Sequence, residues 1–195
     1  MKNLRLIIIS GAIFVLSTNV SILFAWEQDK GATIEILNPE YTKPANVNDN
    51  VDINTESSVE DILKKVEYYY ANQNFDKAIE LLEIALQKTS DRELVAKINF
   101  SLSSNYLEKG TESYRLNKDE SFYKLSIQFA KKSLEVIPDN WQALANMGSI
   151  YLNMGDYKQA ASYFLEAEKY VDKNDPNYAA LEYHRNLAEE MGKGK

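Results

Sequence analysis

Few side chains in this sequence could take part in catalysis. There is no cysteine, and the single histidine, His184, lies on an apolar helical stripe without companion catalytic residues. This setting favours a partly buried, hydrogen-bonded histidine over a metal ligand or a base. The carboxylates Glu60, Asp61 and Glu67 are spaced along helical faces, which indicates solvated charge rather than acid–base chemistry. With no glycine-rich phosphate loop and no His-Glu-x-x-His pair, the sequence predicts a non-enzyme without cofactor or metal.

The composition argues against a nucleic-acid partner. The chain has 22 basic and 29 acidic residues and a formal charge of -7, whereas binding to phosphates needs a basic surface. Its 195 residues suit one compact domain with appendages. With only 7 glycines and 4 prolines, long helices are expected rather than many short strands. The lack of cysteine also excludes disulfides and cysteine-bound zinc.

The N-terminal residues 1–25 have the pattern of an export segment. Lys2 and Arg5 precede an apolar run that is interrupted by three polar residues and then resumes. Cleavage as a signal peptide is one interpretation, although Leu23 stands where a small residue is usual. An uncleaved anchor is the other, because residues 4–25 are about long enough to cross a bilayer of roughly 30 Å. Both predict that the rest of the chain lies outside the cytoplasm.

Residues 26–58 are predicted to be a flexible linker. The segment is rich in asparagine, aspartate, threonine and proline and has no helical period, so it could bury too little apolar surface to offset the entropy cost of ordering. The stretch ATIEIL, residues 32–37, could instead form a short strand or a docking segment. A mobile linker is the favoured interpretation.

From residue 57 onward the sequence shows continuous helical periodicity, and its clearest unit is residues 141–174. Small and aromatic residues recur there around a Gly-Asp turn: Gly148, Tyr151, Gly155, Asp156, Tyr157, Ala160, Phe164 and Ala167. This pattern resembles the tetratricopeptide repeat (TPR), a helix-turn-helix unit of about 34 residues. Leu144 fills the position where the family has tryptophan. In that family the small residues let the two helices, A and B, approach closely.

The same register extends toward the N-terminus. A first repeat over residues 59–92 has matching residues at Ile62, Val66, Tyr69, Phe75, Ala78, Leu82 and Ala85. Two pairs, Ser57 with Glu60 and Ser90 with Glu93, have the spacing of a capping box before a helix A. The second repeat, residues 93–140, is irregular.

The irregularity is an excess of residues at the turn. Gly110 to Ser126 spans 16 residues where Gly155 to Ala160 spans 5, which leaves 11 extra, or about three helical turns. The spacing predicts that both helices extend beyond the usual turn, with residues 115–121 at the tip. Such a protrusion could be a contact surface or a tolerated insertion.

The chain is predicted to end in a capping helix over residues 175–191, which begins at Asp175-Pro176. One face of this helix is apolar and would cover the last repeat: Ala180, Leu181, His184, Leu187, Ala188 and Met191. The resemblance therefore implies an all-α, right-handed solenoid of three TPR repeats with a C-terminal capping helix.

The resemblance also implies a binding site, since the A helices of such arrays line a concave groove that binds segments of other proteins. The corresponding positions here are Glu60, Leu63, Glu67, Tyr70, Lys97, Phe100, Ser104, Leu107, Gln142, Ala145, Ser149, Leu152 and Asn153. With Glu108, several of these give the groove an apolar floor and acidic ends, which suits an amphipathic segment with basic flanks. Alternatively, they pack against one another in a narrow superhelix.

The basic clamp by which some family members hold a C-terminal carboxylate is absent. Its positions are occupied by Leu63, Glu67, Ser101, Gln142 and Asn146. The function predicted is a scaffold or adaptor of the cell envelope, periplasmic or extracytoplasmic, with another protein or peptide as partner and a possible membrane tether through residues 4–25. A self-associating structural component of an envelope assembly is the alternative. An enzyme is the least favoured.

Overall fold

The computed structural model describes residues 57–194, and these residues form seven α-helices and no strand. The helices are α1 (Val59–Ala71), α2 (Phe75–Lys88), α3 (Arg92–Asn117), α4 (Ser121–Leu134), α5 (Trp141–Met154), α6 (Tyr157–Glu168) and α7 (Pro176–Lys193). The predicted all-α class is confirmed. The predicted export segment and nearly all of the predicted linker lie outside the described residues.

Consecutive helices form pairs that stack along the chain. The main contacts join α1 with α2, α3 with α4, and α5 with α6, while α7 packs on α6. Because each pair is joined by a short turn, its two helices run antiparallel. Further contacts of α2 with α3, of α4 with α5 and of α3 with α5 hold successive pairs together. The result is a TPR-like solenoid with α7 at its C-terminal end.

Polar side chains fix the starts of both A helices for which a capping box is predicted, but each cap lies one residue later than expected. Ser58 Oγ accepts a hydrogen bond from the backbone N–H of Asp61 at 3.1 Å. Asp91 Oδ1 accepts from the N–H of Leu94 at 2.7 Å. The assignments to Ser57 and Ser90 are therefore wrong. Asp and Ser are equally good caps, and the spacing alone did not distinguish neighbouring candidates.

The extra residues of the second pair are distributed unevenly. Gly110 in α3 corresponds to Gly155, which directly follows the last residue of α5, Met154. A helix of the usual length would therefore end at residue 109, but α3 continues to Asn117, eight residues further. The B helix α6 begins three residues before its small residue Ala160, whereas α4 begins five residues before the corresponding Ser126. Helix α4 is therefore two residues longer at its start, and residues 118–120 connect the two helices. Lys118 ends α3 in the left-handed region at φ 57°. Most of the extension is therefore a longer α3, and the tip is shorter than predicted.

The A and B helices approach closely where small residues face large rings. A Cβ added at Gly148 would lie 2.8 Å from Phe164 Cε1, and one at Gly110 would lie 2.4 Å from Tyr123 Cδ1. Both rings are buried, at 0% and 1% exposure. A second close contact joins α3 to α4, where Ser126 Oγ donates to the carbonyl of Ser103 at 2.7 Å. These contacts set the spacing within the second and third pairs.

We expect Gly148→Ala to lower the free energy of unfolding by about 1 kcal/mol, because overpacking costs about 1–3 kcal/mol and alanine in a helix returns about 1 kcal/mol. The matched control is Gly192→Ala in α7, where the added Cβ would meet Tyr157 Cβ at an ordinary 3.5 Å. That variant should be neutral or slightly stabilised. Urea unfolding of both variants measures the difference. Equal stability of the two would contradict a tight Gly148 contact.

Candidate functional site

On α1 the predicted groove residues are at least partly accessible. Glu60 and Glu67 are exposed, and Leu63 between them is half-buried. Leu63 packs at the edge of the core formed by α1, α2 and the start of α3. Tyr70, at the end of α1, is also half-buried. This helix therefore presents one partly exposed apolar side chain between two carboxylates.

The neighbouring helices extend this surface only at their N-terminal ends. Lys97 is exposed and pairs with Glu93 at 2.7 Å. Phe100 is half-buried because one side of its ring packs against the cluster of Ala130, Ala143 and Met147. Gln142 is half-buried as well. We call the accessible residues the open face: Glu60, Leu63, Glu67, Lys97, Phe100 and Gln142.

Five of the predicted groove residues are not accessible: Ser104, Leu107, Ala145, Ser149 and Leu152 are all buried. Burial removes Leu107 and Leu152 from the predicted apolar floor. Ser104 and Leu107 are covered because α3 packs directly against α5, where Asn146 Nδ2 donates to Ser104 Oγ at 3.0 Å. Ala145 and Leu152 are instead buried in the apolar cluster that joins α5 to α6 and α7.

A row of polar side chains closes the far end of this face. Tyr70 Oη donates to Glu108 Oε1 at 3.3 Å, which links α1 to α3. Asn153 Nδ2 donates to Tyr123 Oη at 2.9 Å, which links α5 to α4. Tyr123 Oη in turn donates to Thr111 Oγ1 at 3.3 Å. We call Tyr70, Glu108, Tyr123 and Asn153 the polar row. Asn153, a predicted groove residue, is half-buried.

Glu108 is the most unusual member of the polar row. The sequence suggests an exposed acidic end at this position, but the side chain is only 5% exposed. Burial raises the pKa of Glu108 to about 8, although the hydrogen bond from Tyr70 acts in the opposite direction. Burial and the same carboxyl raise the pKa of Tyr70 well above its usual value. At neutral pH Glu108 is therefore mostly protonated.

His184 is buried between α6 and α7 rather than placed in a site. Its ring stacks on Phe164 with 5.4 Å between centroids and contacts Tyr183 edge-on. The side chain is 3% exposed, and Nε2 has no hydrogen-bond partner. Burial lowers the pKa of His184 to about 4, although a hydrogen bond to the backbone of Ala180 opposes the shift. The imidazole is therefore neutral and part of the core.

The burial of His184 predicts a loss of stability in acid. The folded pKa of about 4 lies below the ordinary histidine pKa of 6.5, so the unfolded chain binds the proton more readily. The resulting stability is complete above pH 6.5 and is lost as pH falls toward 4, by about 3 kcal/mol from a shift of this size.

The measurement is urea unfolding at pH 7 and pH 4 for the wild type and His184→Phe, which keeps a ring beside Phe164. Other groups titrate in both proteins, so the difference between the two isolates His184. We expect the wild type to lose about 3 kcal/mol more than the variant. An equal loss in both would contradict the buried, neutral imidazole.

A second concave feature lies where the longer α3 passes the turn between α1 and α2. This cleft has a volume of about 340 Å³ and is lined by Gln73, Asn74, Phe75, Asp76, Lys109, Glu112, Ser113, Leu116 and Phe122. Lys109 forms an ion pair with Asp76 and lies over the Phe122 ring. No sequence pattern indicates this cleft, because it depends on how far α3 extends.

The stacked antiparallel pairs and the partly open inner face define a helical-repeat solenoid, a class whose surfaces bind other proteins. Residues 143–176 match the family model described as tetratricopeptide repeat, which supports placing this chain among the TPR-family proteins. The match begins at the third residue of α5, includes all of α6 and ends at the first residue of α7. No curated protein matches the sequence significantly. Within residues 57–194 no helix has the length and apolar character needed to cross a bilayer.

Proposed function

We propose that this protein is a non-enzymatic scaffold that binds a segment of a partner protein along the open face. The carrying observation is that Leu63 and Phe100 remain partly exposed on neighbouring A helices of a TPR-like stack. TPR repeats generally mediate contacts between proteins, and side chains of this kind serve as apolar contacts for a bound segment.

The charges around these contacts favour an amphipathic partner with basic groups. Glu60 and Glu67 are exposed on either side of Leu63, so a basic residue of the partner could approach them at little desolvation cost. Lys97 is already neutralised by Glu93. The open face therefore presents net negative charge next to its apolar contacts.

The site of action proposed is the extracytoplasmic side of a membrane, within an envelope complex. The support is the basic and apolar pattern of residues 1–25. Fractionation of cells that produce the full chain tests this placement. Protection from external protease in intact cells but not in cells with a permeabilised outer layer would support an enclosed envelope compartment. Recovery in the cytoplasmic fraction would contradict it.

Photo-crosslinking in the native cell tests the binding face. A photoreactive amino acid is placed at Glu67 or Lys97, both exposed on the open face, and at Gln128, which is exposed on α4, as the control. We expect one common crosslinked product from the first two positions and none from the third. Equal products from all three positions, or none from the open face, would contradict the proposal.

Reversing the charge of Glu67 tests partner binding with less effect on folding than truncating Tyr70 or Phe100. Tyr70→Ala and Phe100→Ala would each remove an internal contact, whereas Glu67 is exposed. Glu67→Lys should lower the affinity for the partner at least tenfold if basic groups of the partner face this carboxylate. Thermal unfolding of the variant controls for folding.

Self-association is the second candidate function, and exposed apolar groups near the end of α6 favour it. Leu165 is 50% exposed and Tyr170 is 43% exposed, and large exposed apolar groups of this kind can mark contact surfaces. Light scattering across a concentration series distinguishes the two functions. A mass that doubles in the wild type but not in Leu165→Glu would favour self-association.

A further inference from the structure

The carboxyl group of Glu108 is incompletely satisfied. One oxygen, Oε1, accepts from Tyr70, but Oε2 is buried without a hydrogen-bond partner. Three residues earlier on the same helix, the Oδ1 atom of Asn105 is also buried and unpartnered, because this side chain uses its Nδ2 to donate to the Ser101 carbonyl at 2.8 Å. Two buried oxygens, one turn apart on α3, therefore have no hydrogen-bond partner.

The surroundings of Glu108 offer no cation within the described residues. The titratable groups near it are two phenols, Tyr70 from α1 and Tyr123 from α4. From α5 the polar row contributes the uncharged Asn153. The basic residue next in sequence, Lys109, is paired with Asp76 of α2. A charged Glu108 would have to be neutralised from outside this chain.

We propose that Glu108 is the receptor for an arginine side chain of the partner segment, with Asn105 as the second acceptor. This proposal rests on the proposed function and names the chemistry of its partner. A guanidinium group carries five N–H donors in a planar fork, so it can serve two acceptors at once. Lysine has a single charged centre and suits the pair less well.

Tyr70 is the group that has to move for the arginine to enter. It is the partly buried end of the polar row beside Glu108, and its hydroxyl is held to this carboxyl by a 3.3 Å hydrogen bond. The charged bond from guanidinium to carboxylate is stronger than the neutral bond it replaces. A rotation of the Tyr70 side chain would open the path from the open face.

The proposal implies that binding releases a proton. At pH 7 Glu108 is mostly protonated, and guanidinium binds the carboxylate, so the proton passes to solvent as the ion pair forms. Only the ionised fraction binds, and with a pKa of about 8 this fraction is about tenfold larger at pH 9 than at pH 7. The affinity for arginine should rise by the same factor.

The test uses the full chain, labelled for carbon NMR of glutamate carboxyls, and two probes. N-acetyl-arginine methylamide carries the guanidinium, and N-acetyl-citrulline methylamide has nearly the same shape without charge. We expect the arginine probe to lower the measured pKa of Glu108 in a saturable manner, with about tenfold tighter binding at pH 9 than at pH 7. The citrulline probe should have no effect.

Two variants make the result specific. Glu108→Gln removes the carboxyl and should abolish binding of the arginine probe, whereas Glu190→Gln, on the exposed surface of α7, should change it less than twofold. A Glu108 signal that titrates without responding to arginine, or equal binding to Glu108→Gln, would overturn the proposal. Neither result would affect the crosslinking test, so failure of the arginine site is distinguishable from failure of the scaffold function.

Discussion

Replacing Phe164 with alanine should lower the free energy of unfolding by about 4 kcal/mol, near the middle of the range for a buried phenylalanine. The ring is 0% exposed and fills the space beside Gly148 in α5. It also stacks on His184 from α7. One side chain therefore joins three helices, and its removal leaves a cavity that a close-packed core cannot fill.

The neighbouring residue provides a matched control. Leu165 lies on the same helix but is 50% exposed, so Leu165→Ala should cost less than about 1 kcal/mol. Urea unfolding followed by far-ultraviolet circular dichroism measures both variants. Comparable losses in the two would mean that α6 does not bury Phe164 as described. The total free energy of unfolding of a folded protein is about 5–15 kcal/mol. The Phe164 variant should therefore also melt at a clearly lower temperature.

Glu108→Gln should make the protein more stable than the wild type in alkaline solution. The folded pKa of about 8 lies above the ordinary glutamate pKa of 4.5, so the folded state holds its proton to a higher pH than the unfolded chain does. This group contributes its full stability below pH 4.5 and loses it as pH rises toward 8. The expected loss by pH 9 is of the order of 5 kcal/mol.

Glutamine keeps an oxygen to accept from Tyr70 but cannot ionise, so the variant should escape this loss. The measurement is the urea midpoint of the wild type and Glu108→Gln at pH 6 and pH 9, with the exposed Glu67→Gln as the control. The wild type and the control should weaken together, and Glu108→Gln should weaken less. Parallel behaviour of all three proteins would show that Glu108 is not buried in protonated form.

His184 and Glu108 limit stability from opposite sides of the pH scale. Protonation of the imidazole destabilises the fold as pH falls below 6.5, and ionisation of the carboxyl destabilises it as pH rises above 4.5. Between these values the two changes partly cancel. Their combined contribution is therefore flattest at mildly acidic pH.

The helical pairs were predictable because local chemistry specifies them. Gly148 faces Phe164, and Asp156 caps the following helix by accepting from the Gln159 N–H at 3.2 Å. These positions are close in sequence, so their spacing is visible in the residues. The all-α class follows from the same periodicity. The exact caps before α1 and α3 were harder, because two adjacent residues could each serve.

The accessible part of the groove was not predictable from register alone. Whether Ser149 or Leu107 reaches solvent depends on the distance between α3 and α5, which long-range contacts such as Asn146 to Ser104 determine. The burial of Glu108 has the same origin, since Tyr70, its partner, is 38 residues away in sequence. A position in a repeat indicates the direction of a side chain but not what covers it.

The extension of α3 provides a site at which the chain can be modified. Its eight additional residues rise about 12 Å at 1.5 Å per residue, and they carry the connection at residues 118–120 away from the residues that would meet a partner. Lys118 and Asp119 are exposed. An affinity epitope inserted at this tip would leave the chain's ends unaltered, so an intact assembly could be purified without a fusion at either terminus.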